Sequence, residues 1–209
     1  MLLSRDINVI PLFIVYICGF TGVANAIDLK TGVDEQAQLP YWEISTGGMS
    51  LRLIQRLPIQ TRGYFMARGF KAKQAERIAQ SCLFQTIFKN ISDADSAGSP
   101  SNLEYNLHGW LVKRKGTRHR PKTREDWSKE WQAEKVSQAA QIAFEWSLYP
   151  TQQEYKPGDY NWGMTIFNLK PGMKFDLDVS WKQYGKLNKS SIKGIECAPD
   201  INPQSKESR

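Results

Sequence analysis

Histidine and cysteine are scarce in this chain. Its 209 residues include two histidines, His108 and His119, and three cysteines, Cys18, Cys82 and Cys197. So few of either excludes His- and Cys-rich metal cages and leaves nucleophile–base pairs little to draw on. There is no Cys-x-x-Cys redox spacing, no Gly-x-Ser-x-Gly elbow, no His-Glu-x-x-His and no Walker loop. His108 falls on the polar side of its predicted strand. His119 lies among arginines, which disfavour its charged form and repel a metal cation. The carboxylate pairs Asp93/Asp95 and Asp176/Asp178 are too sparse for a calcium loop. His108 with a methionine such as Met164 is the nearest approach to a copper site, and no cluster supports it. These gaps point to a protein without catalytic residues, without a bound metal and without a cofactor.

Long apolar runs are missing too. The one stretch of note, residues 9–20, is too short to span a bilayer comfortably. It follows Arg5 and leads to Ala24-Asn25-Ala26, with small residues at −3 and −1 of a cut before Ile27. Positive start, apolar middle and small-residue end are the order of a secretory signal peptide. Asp6 beside Arg5 weakens the positive start, and Pro11 and Tyr16 interrupt the apolar run. A signal anchor that is kept is the rival reading, and Gly22-Val23-Ala24 is a second cleavage site. Residues 1–26 are therefore read as a signal peptide, 27–198 as a single β-rich domain outside the cytoplasm and 199–209 as a disordered polar tail. Cleavage leaves Cys82 and Cys197. An even count in an oxidising compartment favours a disulfide between them.

The formal net charge is +7, and its excess sits in one short run. Lys113, Arg114, Lys115, Arg118, Arg120, Lys122 and Arg124 fall within twelve residues that contain no acid. Outside that run basic and acidic residues balance. A basic loop in an exported protein suits an anionic surface or an acidic envelope partner, while export argues against nucleic acid.

Hydrophobic spacing supplies the elements. Residues 27–40 read as a poorly ordered lead-in. Met49, Leu51, Leu53 and Leu57 alternate as a half-buried strand, with a second strand or continuation over 59–66. Residues 71–80 favour a short helix, residues 82–88 a strand buried on both faces, and residues 92–102 a loop. One strand runs from Leu103 to about Val112. Thr123-Arg124-Glu125-Asp126 resembles a capping box opening a helix over 124–140, with Trp127 and Trp131 on its buried face. Ile142, Phe144, Trp146 and Leu148 alternate as another strand. A polar, aromatic loop follows up to Gly163, then strands at 164–169, 175–181 and 191–197. The sum is a mainly β antiparallel sandwich, immunoglobulin-like, with two helical insertions; the alternative is an open α+β sheet.

All seven tryptophans lie beyond residue 26 and serve first as core material. The segment 149–162 differs, because Tyr155, Tyr160 and Trp162 interleave with amides and with Asp159. Those four residues are the candidate ligand or partner loop. The function expected is an exported, non-enzymatic envelope protein, a binding or accessory module that contacts an anionic surface or protein partner through the basic loop. The alternative is a ligand- or metal-carrying sandwich for a glycan or copper.

Overall fold

The protein is described by a computed structural model covering residues 28–92 and 102–201. The expected signal peptide, the centre of the 92–102 loop with Asp93 and Asp95, and the last eight residues lie outside the described residues. In chain order the elements are β1 (Asp28–Val33), β2 (Pro40–Thr46), β3 (Met49–Gln55), α1 (Pro58–Met66), α2 (Ala72–Ala79), β4 (Leu83–Asn90) and β5 (Leu103–Asn106). Then come β6 (Leu111–Arg114), β7 (Thr117–His119), α3 (Arg124–Ala133), α4 (Gln138–Ser147), β8 (Gln152–Tyr155), β9 (Tyr160–Ile166), β10 (Lys174–Gln183) and β11 (Lys186–Glu196).

Two antiparallel sheets pack as a sandwich. The first has the order β1-β2-β3-β4-β9. In the second, β10 carries β11 on one side and, end to end on the other, β6 and β5, flanked by β7 and β8. Between the sheets lies an apolar core that includes Leu51, Leu53, Phe84, Phe88, Tyr105, Leu177 and Val179. Helices enter as two pairs: α1–α2 between β3 and β4, and α3–α4 between β7 and β8. Together they cover one end of the outer face of the first sheet. There a second cluster joins Phe65, Phe70, Trp127, Trp131 and Phe144 to Leu83 of β4 and Ile166 of β9. Cys82 and Cys197 are bonded, Cα atoms 5.4 Å apart, which ties the start of β4 to the end of β11 across the two sheets. Among the described residues no helix is long and apolar enough to cross a membrane.

Several local expectations are corrected. The lead-in holds β1, and β2 begins at its last residue. β1 pairs with β2 over six residues but is exposed on both faces, so it shows no hydrophobic alternation. β3 is buried on both faces along most of its length, not half-buried. Residues 58–66 are helical. Leu57 is extended, as a residue before proline tends to be, and Pro58 sits in the first turn, where its missing N–H costs nothing. Pro58, Thr61 and Phe65 then fall on one buried helical face.

The strand from Leu103 is broken by a 3-10 turn, Leu107–Gly109, whose entry is held by the Asn106 side chain accepting from the His108 N–H at 2.9 Å. The helix expected over 124–140 stops at Ala133. Val136 N–H donates to Trp131 C=O at 3.0 Å and Lys135 N–H to Gln132 C=O at 3.1 Å, with Lys135 left-handed. That is a Schellman ending in which a lysine takes the glycine's place. Residues 142–148 belong to α4 and its exit, not to a strand. Ser137 caps the helix, and Ala140, Phe144 and Leu148 form the buried side. The segment before Gly163 contains β8 and the start of β9. Ordered structure also reaches past 198. The Arg62 guanidinium bridges Glu76 and Asp200, and Gln80 donates to both carboxylates.

Trp131 is 1% exposed and stacks on Trp127 with ring centroids 4.9 Å apart. Trp131→Ala should therefore cost about 3–5 kcal/mol, read by urea denaturation. A loss under about 0.5 kcal/mol would mean that this helix face does not hold the layer together. The Arg62 clamp gives a pH signature. Hydrogen bonds from Arg62 hold the Glu76 and Asp200 carboxyls below their ordinary values of 4.5 and 3.8. Depressed folded values mean that the stabilisation is whole above those ordinary values and disappears as pH falls through the lower folded ones. Both pairs are partly open to water, so Arg62→Ala should cost no more than about 1 kcal/mol at pH 7. In urea titrations the difference between the two proteins should start to shrink as pH falls below about 4.5 and go on shrinking at lower pH; a difference that does not change with pH would contradict the assignment.

Candidate functional site

The basic run folds as a hairpin followed by a return to the first sheet. Val112 pairs with His119, Lys113 with Arg118 and Arg114 with Thr117. Lys115 and Gly116 form the two-residue turn, both with positive φ (45° and 80°). That is the turn whose twist suits a tight hairpin. His119 reaches inward and its ring Nε2–H donates to Phe167 C=O at 2.8 Å. The backbone then bonds the edge of β9, Lys122 N–H to Ile166 C=O at 3.0 Å, and Thr123 caps α3 in a capping box with Asp126.

Four of the seven cations are answered by acids from other elements. Lys113 meets Asp178 at 2.7 Å, Arg120 meets Asp126 at 3.3 Å, and Lys122 meets Glu130 at 2.5 Å. Arg124 lies 3.8 Å from Glu145 and donates to Leu148 C=O at 3.1 Å. Lys122 also sits over the Trp127 ring, 3.5 Å from its centroid. Asp176, the other carboxylate of its pair, bonds Lys193 and the Gly194 N–H; that N–H and Lys193 hold its carboxyl below the ordinary range. Arg114, Lys115 and Arg118 remain. Among the described residues none of the three makes an ion pair, and they gather at the hairpin tip, Lys115 and Arg118 exposed and Arg114 half-buried.

The aromatic candidates divide in the same way. Tyr155 is 1% exposed, with its hydroxyl 3.0 Å from that of Tyr149 and its ring beside Tyr105 and Phe88. Burial pushes the Tyr149 and Tyr155 phenols up, so both stay neutral. Asp159 closes the turn between β8 and β9, accepting from Lys156 N–H at 3.0 Å. Tyr160 and Trp162, in contrast, are 63% and 61% exposed on β9.

Sequence reasoning missed two parts of this surface. Trp146 was expected on a buried strand face and is 87% exposed at the end of α4. On the outer face of the first sheet a groove of about 310 Å³ is lined by Glu43, Ser45, Ser50, Arg52, Ile87, Lys89 and Ile91. Arg52 Nε lies 2.6 Å from Glu43 and Nη1 3.3 Å from Asp34, and Ser50 donates to Glu43 at 3.1 Å. The polar side of β3 was legible in the sequence; its partners on β2 and β4 were not, because pairing is long-range.

Among the described residues no three His, Cys, Asp or Glu side chains gather as a metal-holding group. His108 is exposed in its 3-10 turn, while Met164 packs against the helical cluster. No family model, no curated protein and no solved structure matches the chain.

The split of the basic run can be measured. Lys122→Ala removes a stacked, mostly covered ammonium and should destabilise by roughly 1–2 kcal/mol. Arg118→Ala should stay within about 0.5 kcal/mol of the parent. Equal losses in urea denaturation would contradict the division into structural and free cations.

Proposed function

We propose that the protein is an exported binding or accessory module without catalysis of its own, and that it contacts an anionic surface through the tip of the β6–β7 hairpin. The observation that carries this reading is the set of three cations at that tip, Arg114, Lys115 and Arg118, without acid partners among the described residues, beside four that are paired. An ion pair already made holds the fold; an unpaired, solvated cation on a projecting turn is available to an incoming anion. Export is supported by the order of residues 1–26 and by the Cys82–Cys197 bond. Each free cation near an anionic lipid surface contributes about 1 kcal/mol, so three give reversible association and not anchoring.

Sedimentation with phosphatidylglycerol vesicles should show binding that weakens between 50 and 200 mM salt, roughly the range over which the screening length falls below 10 Å. The combined Arg114→Ser, Lys115→Ser, Arg118→Ser variant should bind at least tenfold more weakly and keep its thermal midpoint. Arg120→Ser, which removes a paired cation, should bind nearly as the parent does. Salt-independent binding, or binding unchanged in the triple variant, would overturn the hairpin reading.

A further inference from the structure

The geometry points to a second, separate binding site: the open half of the first sheet's outer face takes an acidic oligosaccharide, with Trp162 and Tyr160 as stacking rings and Lys89 as the carboxylate reader. Antiparallel register sets the layout, because directly opposed residues share a face. Tyr160 is opposite Lys89, and Lys89 opposite Ser50; Trp162 is opposite Ile87, Ile87 opposite Arg52, and Arg52 opposite Glu43. Two adjacent rows therefore run from an aromatic ring on β9 into the polar groove on β2, β3 and β4. Further along the same face, Leu83 and Ile166 lie beneath the helical layer, with Met164 packed against it. The layer stops short of Trp162. Its rim there is the end of α4, where Trp146 lies two residues before Leu148, and Leu148 bridges Met164, two residues after Trp162.

The lining selects the class of ligand. A pyranose ring has apolar C–H faces and a rim of hydroxyls. It binds where flat rings take the faces and mixed donors and acceptors take the rim. Trp162 and Tyr160 alternate on one strand face and are more than half exposed, whereas Trp110, Trp127, Trp131 and Trp181 are buried. Rings left in water beside a groove are a binding feature more than a packing one. The groove itself offers the Glu43 carboxylate, the Ser45 and Ser50 hydroxyls and the Arg52 guanidinium. Five polar residues among the seven that line it make it too polar for an acyl chain or the apolar side of a helix, whose sites are mostly hydrophobic. The pattern of ion pairs supplies the last element. Arg52 is answered by Glu43 and Asp34. Among the described residues Lys89 has no carboxylate partner, only the Tyr160 ring 5.6 Å away. Lys89, a cation without an ion pair among the described residues, sits between stacking rings and hydroxyl-binding groups and suits a sugar that bears a carboxylate.

The test uses the full mature chain, tetragalacturonic acid as the acidic probe and the tetramer of N-acetylglucosamine as the neutral one, followed by calorimetry and by the indole N–H signals in ¹⁵N NMR. The acidic tetramer should bind with a Kd on the order of 10⁻⁴ M, modest as befits a shallow open site, and should shift the Trp162 indole signal. Trp162→Ala and Tyr160→Ala should each weaken it at least fivefold. Lys89→Gln should weaken the acidic probe at least fivefold and leave the neutral one unchanged. All three side chains reach solvent, so the thermal midpoints should hold. The hairpin triple variant should bind the acidic probe as the parent does, which keeps failure of the hairpin reading distinct from failure of this one. No Trp162 shift at millimolar acidic tetramer, equal affinity for the two tetramers, or indifference to Trp162→Ala would each overturn the proposal. Vesicle binding that depends on Trp162 would overturn it as well, assigning this face to lipid.

Discussion

Strand β4 serves two apolar clusters at once, and the rest of the molecule is arranged around that constraint. Phe84 and Phe88 point into the space between the sheets, while Leu83, at the start of the strand, lies under the helices. Thr86, fully buried between the two phenylalanines, is satisfied by Thr165 of β9 at 2.7 Å, because a buried hydroxyl left without a partner would be costly. The strands on either side, β3 and β9, must therefore be adjacent to β4 along its whole length, and the helix pairs inserted after β3 and after β7 must both return to the same end of the sheet. The disulfide is placed where this demand is greatest, one residue before β4 begins. Sheet one is thus buried on both faces at one end and on only one face at the other, and the open end is where the exposed rings and the polar groove lie.

What could be read from residue order follows the same physics. Phe175, Leu177, Val179 and Trp181 have one face in a single core and the other in water, so β10 shows plain alternation. Trp127 and Trp131 are four apart on a helix with one buried side. The cysteine pairing needed only a count and a compartment. The misreadings are equally specific. Ala140, Phe144 and Leu148 repeat every four residues, and a period of four contains a period of two, so α4 imitates a strand once Ile142 and Trp146 are apolar as well. Lys135 ends α3 in a left-handed conformation that is most often glycine's, and no residue-type signal marks it. β1 carries no pattern because neither of its faces is buried.

The candidate surfaces were half legible for a related reason. A run of seven cations looks like one feature when only near neighbours are counted. The acids that neutralise Lys113, Lys122 and Arg124 come from β10, α3 and α4, and that proximity exists only after the two sheets and the helix pairs have come together. In the aromatic segment the same residue type plays opposite parts: Tyr155 completes a buried stack with Tyr105 and Tyr149, and Tyr160, five residues on, faces water. Alternation on β9 distinguishes Tyr160 and Trp162 from the buried Gly163 and Thr165, but β9 could not be located without the turn that Asp159 and Gly158 close.

The two bonded cysteines are 115 residues apart, and the second of them follows the last strand. In a chain that crosses a membrane amino end first, Cys82 would arrive with β4 scarcely begun, long before β9, β10 or Cys197. During that interval its thiol would meet oxidant while the apolar sides of β3 and β4 lacked both covers. Removal of residues 1–26, as proposed, would take Cys18 with them and leave no third thiol to capture it wrongly. Among residues 27–209 the cysteines are a single pair, so that late closure has one internal bond to form.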